Sequence, residues 1–243
     1  MEPPAQREDL AAAVTRYRWY HTLDLGQGVV TPGMFDHRNL VDRYLIPPNL
    51  AGMRCLDVGT MDGFWAFEME RRGAAEVMAV DLEDPDRLDW PASLRDGTEK
   101  TLDRTKGERF ELVRDALGSK VKRELRSVYE IDTDLGQFDL VFCGDLLLHI
   151  KDPVTALERI RLVTGGSAVI CTPIKRFRLY PRRPIAELDG IDEFQWWVLS
   201  LPGMARMIRA AGFARVEEGR PFELPATGGG SWKGLRGVMR AYP

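Results

Sequence analysis

Cysteine is scarce in this chain, and where it occurs it has no nearby partner. Cys55, Cys143 and Cys171 are the only three among 243 residues, and no two form a C-x-x-C pair. Each sits in an apolar stretch. This spacing argues against a disulfide framework or a thiolate metal site, so no metal is expected. Reduced, buried thiols in a cytoplasmic protein are the plain expectation. Long apolar runs are missing too. None approaches the ~20 residues that a membrane span needs, so no membrane partner is expected. The opening "MEPPAQREDLAAAV" has no basic stretch followed by an apolar one, and no signal peptide is read. A basic excess is also absent, the formal net charge being −3. Proteins that track a phosphate backbone usually carry a basic face, so nucleic acid is disfavoured as a partner without being excluded. The one dense basic segment is "KRFRLYPRR", Lys175 to Arg183. It reads either as a solvated loop or as a grip for an anionic group.

What is present is an ordinary globular composition, 44% hydrophobic and 29% charged. Apolar β-type runs alternate with helical patterns, the signature of an α/β domain with a mainly parallel sheet. Residues 7–20 read as a helix, "GQGVVTPGMF" as a loop and "DHRNLVDRYL" as a short helix. "PPN" at 47–49 closes an N-terminal extension or lid, residues 1–49, ahead of a main domain over 50–243. In that domain "MRCLDV" is the first strand. A helix from about Gly63 to Arg72 follows, with Asp62 placed to cap it and Gly73 to end it. "EVMAV" is the next strand, and 82–106 reads as loop. "GERFELVRDALGS" is helical and "VKRELRSV" is strand-like. "QFDLVFCG" is a central strand. "DPVTALERIRLVTGG" is a helix capped by Asp152 and ended at Gly165. "SAVICTP", "FARVEEG" and "GLRGVMRAY" are the remaining strands, with "LPGMARMIRAAG" a helix and "TGGG" in the last connection.

Ligands of open parallel sheets bind beyond the carboxyl ends of the strands, so the turn after the first strand is the place to look. Here it reads "LDVGTMDG". The dinucleotide fingerprint G-x-G-x-x-G fails, because Met61 and Phe64 stand at its second and third glycines. A phosphate loop with Gly-Lys-Ser/Thr is absent as well. Asp62 near the helix start would repel a phosphate that the helix dipole attracts. A cationic ligand without phosphate removes these objections. S-adenosylmethionine carries a sulfonium and an ammonium group, which Asp57 and Asp62 can face.

The run "LDVGTMDG" resembles motif I of class I methyltransferases, D-x-G-x-x-x-G. Asp81, ending the second strand, matches the family's acid for the ribose hydroxyls. The resemblance, over about residues 50–220, implies a Rossmann-like fold, a mostly parallel seven-stranded sheet with an antiparallel last strand. It implies S-adenosylmethionine as cofactor. It also implies a cofactor site of Asp57, Gly59, Thr60, Met61, Asp62, Gly63, Asp81 and Leu82, with Ser127, Val128 and Tyr129 flanking adenine. Gly144 and Asp145 would lie beneath the methyl group. "FDLVFCGDLLLHIKDPVTALERI", "FQWWVLSLPGMARMIRAAGF" and "WYHTLDLG" narrow the likeness to the wobble-uridine tRNA carboxymethyltransferase family and its bacterial relatives. That family uses carboxy-S-adenosylmethionine, whose extra carboxylate needs basic and tyrosyl partners. Leu148 stands where the family has a Tyr before His149. The family's N-terminal lysine has no match near Trp19, and only Arg236 falls where its arginine could lie. A buried carboxylate without partners is costly. The plain donor and a small-molecule substrate are therefore expected.

His149, after the fourth strand of the domain, is the candidate general base, alongside a structural reading as a residue that tethers a loop. Asp145 is the second catalytic candidate, placed to orient the nucleophile or to touch only the cofactor. His21, on a segment that folds over the site, is a substrate candidate, as are Arg176 (with Arg178, for an anionic group) and Trp196. His37 reads as an exposed helix residue. The expected activity is methyl transfer to O or N of a small metabolite, anionic if Arg176 and Arg178 face it. Wobble-uridine tRNA modification is the alternative, and a non-catalytic S-adenosylmethionine-binding protein is the third reading. The sequence does not specify an oligomeric state.

Overall fold

The computed structural model describes residues 4–95, 105–191, 194–227 and 233–243. The chain opens with helix α1 (Pro4–Val14). Two short strands follow, β1 (Trp19–His21) and β2 (Gly33–Phe35), paired in parallel. The helix expected over 7–20 therefore stops at Val14, and "WYH" is strand. Its partner lies beyond a glycine- and proline-containing loop, so no local period announces the pairing. The short helix expected over 36–45 is reduced to a single 3₁₀ turn, Val41–Tyr44.

The main sheet begins with β3 (Arg54–Val58), helix α2 (Phe64–Arg71) and β4 (Glu76–Asp81). Helix α3 (Lys106–Leu117), β5 (Lys122–Leu125), β6 (Phe138–Gly144), helix α4 (Pro153–Val163) and β7 (Thr164–Pro173) continue it. A small antiparallel pair, β8 (Ala186–Leu188) and β9 (Trp197–Leu199), precedes helix α5 (Leu201–Ala210). The last strands are β10 (Arg215–Glu218), β11 (Phe222–Pro225) and β12 (Lys233–Tyr242).

The strand order is β10-β12-β7-β6-β3-β4-β5, with β11 also on β12. From β7 to β5 every pairing is parallel, and β12 is antiparallel to its three neighbours. This is the expected Rossmann-like architecture with one strand more, eight instead of seven. The extra strand, β11, shares the edge of the long β12 with β10. Helix α4 ends at Val163, and β7 starts on the next residue, so Gly165 lies inside the strand. In "TGGG", residues 228–230 lie outside the described residues, as do 96–104 of the expected loop at 82–106.

The pleat of β6 explains why its run is continuously apolar. Val141 and Cys143 point into one core with Leu157, Ile160 and Ile208 of α4 and α5. Leu140 and Phe142 point into the other, with Trp65, Phe67, Phe110 and Tyr44. The second core also takes Trp19, Leu23 and Leu25, so the N-terminal segment is packed onto the sheet. Among the described residues no helix is long and apolar enough to cross a membrane.

Candidate active site

The strand order reverses on either side of β3, which opens a crevice at the carboxyl ends of β3, β4 and β6. A cavity of about 750 Å³ occupies it, within the range of small-ligand sites. Asp57 to Gly59, Met61, Val80 to Leu82, Ser127 to Tyr129 and Gly144 to Leu146 form its floor and one wall. Tyr20, His21, His37 and Tyr44 of the N-terminal segment form another.

The β3 turn is tightly wound, with Gly59 and Met61 both at left-handed φ (77° and 52°). For Met61 this is a costly conformation that a non-glycine residue seldom adopts. It aims the Met61 N–H at Oδ2 of Asp81, 2.7 Å away. Oδ1 of Asp81 accepts from the Leu82 N–H at 2.7 Å and from Nζ of Lys106 at 2.6 Å. Two ribose hydroxyls were expected to meet two open oxygens. Oδ1 is already filled, and Oδ2 keeps one lone pair. Asp57 is almost fully buried and accepts from the Thr60 hydroxyl at 2.7 Å. Burial pushes its carboxyl up to about 7, against the Thr60 bond and the His21 charge, with Asp81 adding to the rise.

Thr60, Asp62 and Gly63 do not reach the cavity wall. Asp62 was expected to cap α2 and face a cationic ligand. The cap is Gly63, with φ 92°, and it makes no side-chain cap bond. A Cβ there would collide with the rings of Phe67 and Phe110. Asp62 turns instead to the N-terminal segment, where β1 supplies three donors. The N–H groups of Tyr20 and His21 reach Oδ2 at 2.9 and 3.1 Å, and Nδ1 of His21 meets Oδ1.

Asp145 follows β6 at φ 49° and pairs with Arg236 of β12, Nη2 to Oδ2 2.8 Å. Its Oδ1 is buried with no partner among the described residues. Tyr20 faces this pair. Burial, and then the Asp145 charge, push its hydroxyl far above the ordinary range. His149 does line the cavity, but Nδ1 is committed to the Phe194 carbonyl. Its ring packs on Phe194, which stacks on Trp90 beside Asp89 and the Tyr129 hydroxyl. Burial pushes the His149 imidazole below its usual range, and the Phe194 bond only partly offsets this.

Arg176 and Arg178 are exposed and outside the cavity wall. Trp196 is also outside it; its indole N–H donates to the Asp89 carbonyl and so ties the β8–β9 insert to the wall. Sequence reasoning missed His37, which is buried rather than exposed, and also Asp89, Lys106 and Phe194. His37 has a signal in hindsight, since Tyr44 follows seven residues later and meets its Nδ1.

A methyltransferase is the class that this fold and crevice define. Residues 36–218 match the family model described as a methyltransferase domain. The chain belongs to that family. A tRNA U34 carboxymethyltransferase of Pseudomonas putida (strain GB-1) is 28% identical over 175 residues, 69% of this chain and 48% of that relative. One from Campylobacter hominis is 26% identical over 149 residues, 59% of this chain and 45% of that relative. The chain thus spans about half the length of the curated relatives it matches. Among solved structures, the N-terminal domain of EvdMO1, determined in the presence of SAH and D-fucose, superposes with a TM-score of 0.66. That likeness has 16% identity and covers 97% of this chain and 96% of that one. An S-adenosylmethionine-dependent methyltransferase from Mesorhizobium loti superposes at 0.51 with 16% identity, over 83% of this chain and 95% of that one. Both likenesses concern the fold.

Proposed function

We propose that the protein transfers a methyl group from plain S-adenosylmethionine to a small metabolite in the cytoplasm. One observation carries this: the donor crevice and the wall formed by the N-terminal segment enclose a single cavity in which Asp57, Asp81, Asp89 and Asp145 stand among basic residues such as Lys106 and Arg126. Carboxylates suit a ligand with a sulfonium and an ammonium group. When bound, the cofactor supplies a methyl carbon made electrophilic by its sulfonium. The chain's residues then bind and orient. Asp81 takes a ribose hydroxyl on the open lone pair of Oδ2, and takes the second when Lys106 gives way at Oδ1. Gly59 and Met61 offer backbone, Val128 and Tyr129 flank adenine, and Gly144 with Asp145 floors the methyl. Residues 1–49 act as the extension that covers the acceptor. Three free, buried thiols suit a reducing compartment.

Action on tRNA is the second reading, favoured by the names of the curated relatives. Calorimetry with S-adenosylhomocysteine tests the donor assignment. Asp81→Ala should weaken binding by about 1–3 kcal/mol, the range for a hydrogen bond to a charged group. Unchanged affinity would remove Asp81 from the ribose site. Mass spectrometry of donor retained on purification separates the plain from the carboxylated form, and recovery of the latter would favour the tRNA reading.

A further inference from the structure

Two imidazoles reach the cavity from the N-terminal segment, and their hydrogen bonds set them in opposite tautomers. His21 ends β1 with Nδ1 against the fully buried carboxylate of Asp62. Burial alone would raise the Asp62 carboxyl, but His21, through its charge when protonated and through its ring and backbone hydrogen bonds in either state, and then the Arg109 charge hold it below the usual carboxylate range. An ionised carboxylate only accepts, so Nδ1 of His21 carries a hydrogen. In the neutral ring Nε2 then keeps a lone pair. Among the described residues this Nε2 has no hydrogen-bond partner, and the residue lines the cavity.

His37 lies the other way round. Its Nδ1 is 2.7 Å from the hydroxyl of Tyr44, and both side chains are buried. Burial pushes the Tyr44 hydroxyl far above its ordinary range, so it keeps its hydrogen. Nδ1 of His37 is its one acceptor among the described residues, and buried donors are paired. The ring is neutral, pushed well below its usual range by burial first and then by His21 and Arg236. Its hydrogen therefore sits on Nε2, which is buried without a partner. The two ring centroids are 5.2 Å apart.

One lone pair and one N–H are thus left unmet on two neighbouring rings, both of residues that line the cavity. We propose that this pair is the methyl-acceptor subsite, that it takes a hydroxyl group, and that His21, oriented by Asp62, accepts the hydroxyl proton. The inference deepens the methyltransferase reading above and rests on it. A hydroxyl meets both groups at once: its oxygen accepts from His37, and its hydrogen points at His21. Its second lone pair stays free to attack. A neutral amine has a single lone pair, which a bond from His37 would tie up. Oxygen is therefore selected over nitrogen. As the oxygen–methyl bond forms, the carbon–sulfur bond breaks with its electron pair left on sulfur. The proton passes to Nε2 of His21, and the Asp62 carboxylate stabilises the imidazolium. His149 has a carbonyl at Nδ1 and no carboxylate hydrogen-bonded to its ring, and the Asp145 charge offsets its burial less than that carbonyl does. The charged and titratable groups facing His21 and His37 are Asp62, Asp57, Arg236, Tyr44 and Tyr20.

Nitrogen-15 histidine NMR on the full chain with S-adenosylhomocysteine tests this, with phenol and aniline as probes in the millimolar range. At pH 8 the expected tautomers are Nδ1–H for His21 and Nε2–H for His37. Phenol should move the His21 Nε2 resonance, and aniline, whose N–H is the weaker donor, should move it less at the same concentration. His37→Phe keeps a ring of similar size and should weaken the phenol response about tenfold, the scale of one hydrogen bond. Asp62→Asn should abolish the tautomer preference of His21, while His149→Ala leaves both signals in place. The opposite tautomer at either ring, a doubly protonated His21 at pH 8, or a phenol response absent from His21 overturns the subsite. Calorimetry of S-adenosylhomocysteine on the same sample separates the two layers. Intact binding with wrong tautomers defeats the subsite alone, whereas lost binding in the parent protein defeats the donor reading beneath it.

Discussion

Asp57 illustrates how a single carboxyl can set a pH dependence at the floor of a site. Its carboxyl is pushed up to about 7 by burial, while in the unfolded chain it titrates near its ordinary 3.8. The folded state therefore prefers the protonated form. That contribution is fully present below the unfolded value and is lost as pH rises through about 7. Thr60, His21 and the Ala66 N–H favour the ionised form, and Asp81 opposes it. Asp57→Asn removes the titration. Its stability relative to the parent should rise by about 2–3 kcal/mol between pH 5 and pH 8, measured by urea unfolding at each pH. A pH-independent difference would show that Asp57 keeps an ordinary carboxyl. The residue was legible in sequence as the acid of motif I, but its burial was not. Only the tertiary placement of Thr60 and of β1 above it creates the environment. Asp62 is the counter-example. Its position beside a glycine-started helix suggested a cap, yet three donors from forty residues upstream outcompete the helix end.

At the scale of elements, the order of strands and helices was readable from β3 to β7 and again at α5, because each carries its own period and its own stop, whereas the β8–β9 pair between them was not read. The β1–β2 pair was not, because it is made by a contact rather than a pattern. Gly33 is the residue that permits it. A Cβ there would run into the backbone of His21 and Thr22, so the two strands approach only because position 33 has no side chain. The Thr31 hydroxyl strengthens the same junction, donating to the His21 carbonyl at 2.8 Å and accepting from the Leu23 N–H at 2.7 Å. Gly33→Ala must push the backbone of His21 aside. Overpacking of this kind costs about 1–3 kcal/mol or more, which is about 2–12 °C in melting temperature for a chain of this length. Gly26 supplies the control. It has positive φ with open space around it, so Gly26→Ala should cost only about 1 kcal/mol of backbone strain. Equal melting temperatures for the two variants, read by circular dichroism, would mean that the strap does not depend on this close approach.

At the scale of the molecule, charge and shape bear on which acceptor can enter. The cavity wall carries acids and bases together, Lys106, Arg109 and Arg126 among the bases, while Arg176 and Arg178 stand on an exposed insert outside it. In that insert Lys175 is already paired with Glu187, and Leu179, Leu188 and Ile191 are exposed. A surface that follows a nucleic-acid backbone needs several unpaired cations along one path, and each phosphate they neutralise steepens the salt dependence of binding. With a formal net charge of −3 such a path would have to overcome the field of the whole protein. The insert's basic run was visible in sequence, but its direction was not, because the β8–β9 pair and the Trp196 anchor to Asp89 decide which way it faces. Bulk tRNA should therefore bind no more tightly than the non-specific range, with Kd above about 10⁻⁶ M at physiological salt, in a fluorescence-anisotropy titration. Arg176→Ala with Arg178→Ala should leave S-adenosylhomocysteine affinity unchanged, since neither side chain lines the cavity. Submicromolar tRNA binding with a steep salt slope that this double variant flattens would reverse the assignment. It would make the insert a nucleic-acid grip and give the cavity a nucleotide hydroxyl as its acceptor.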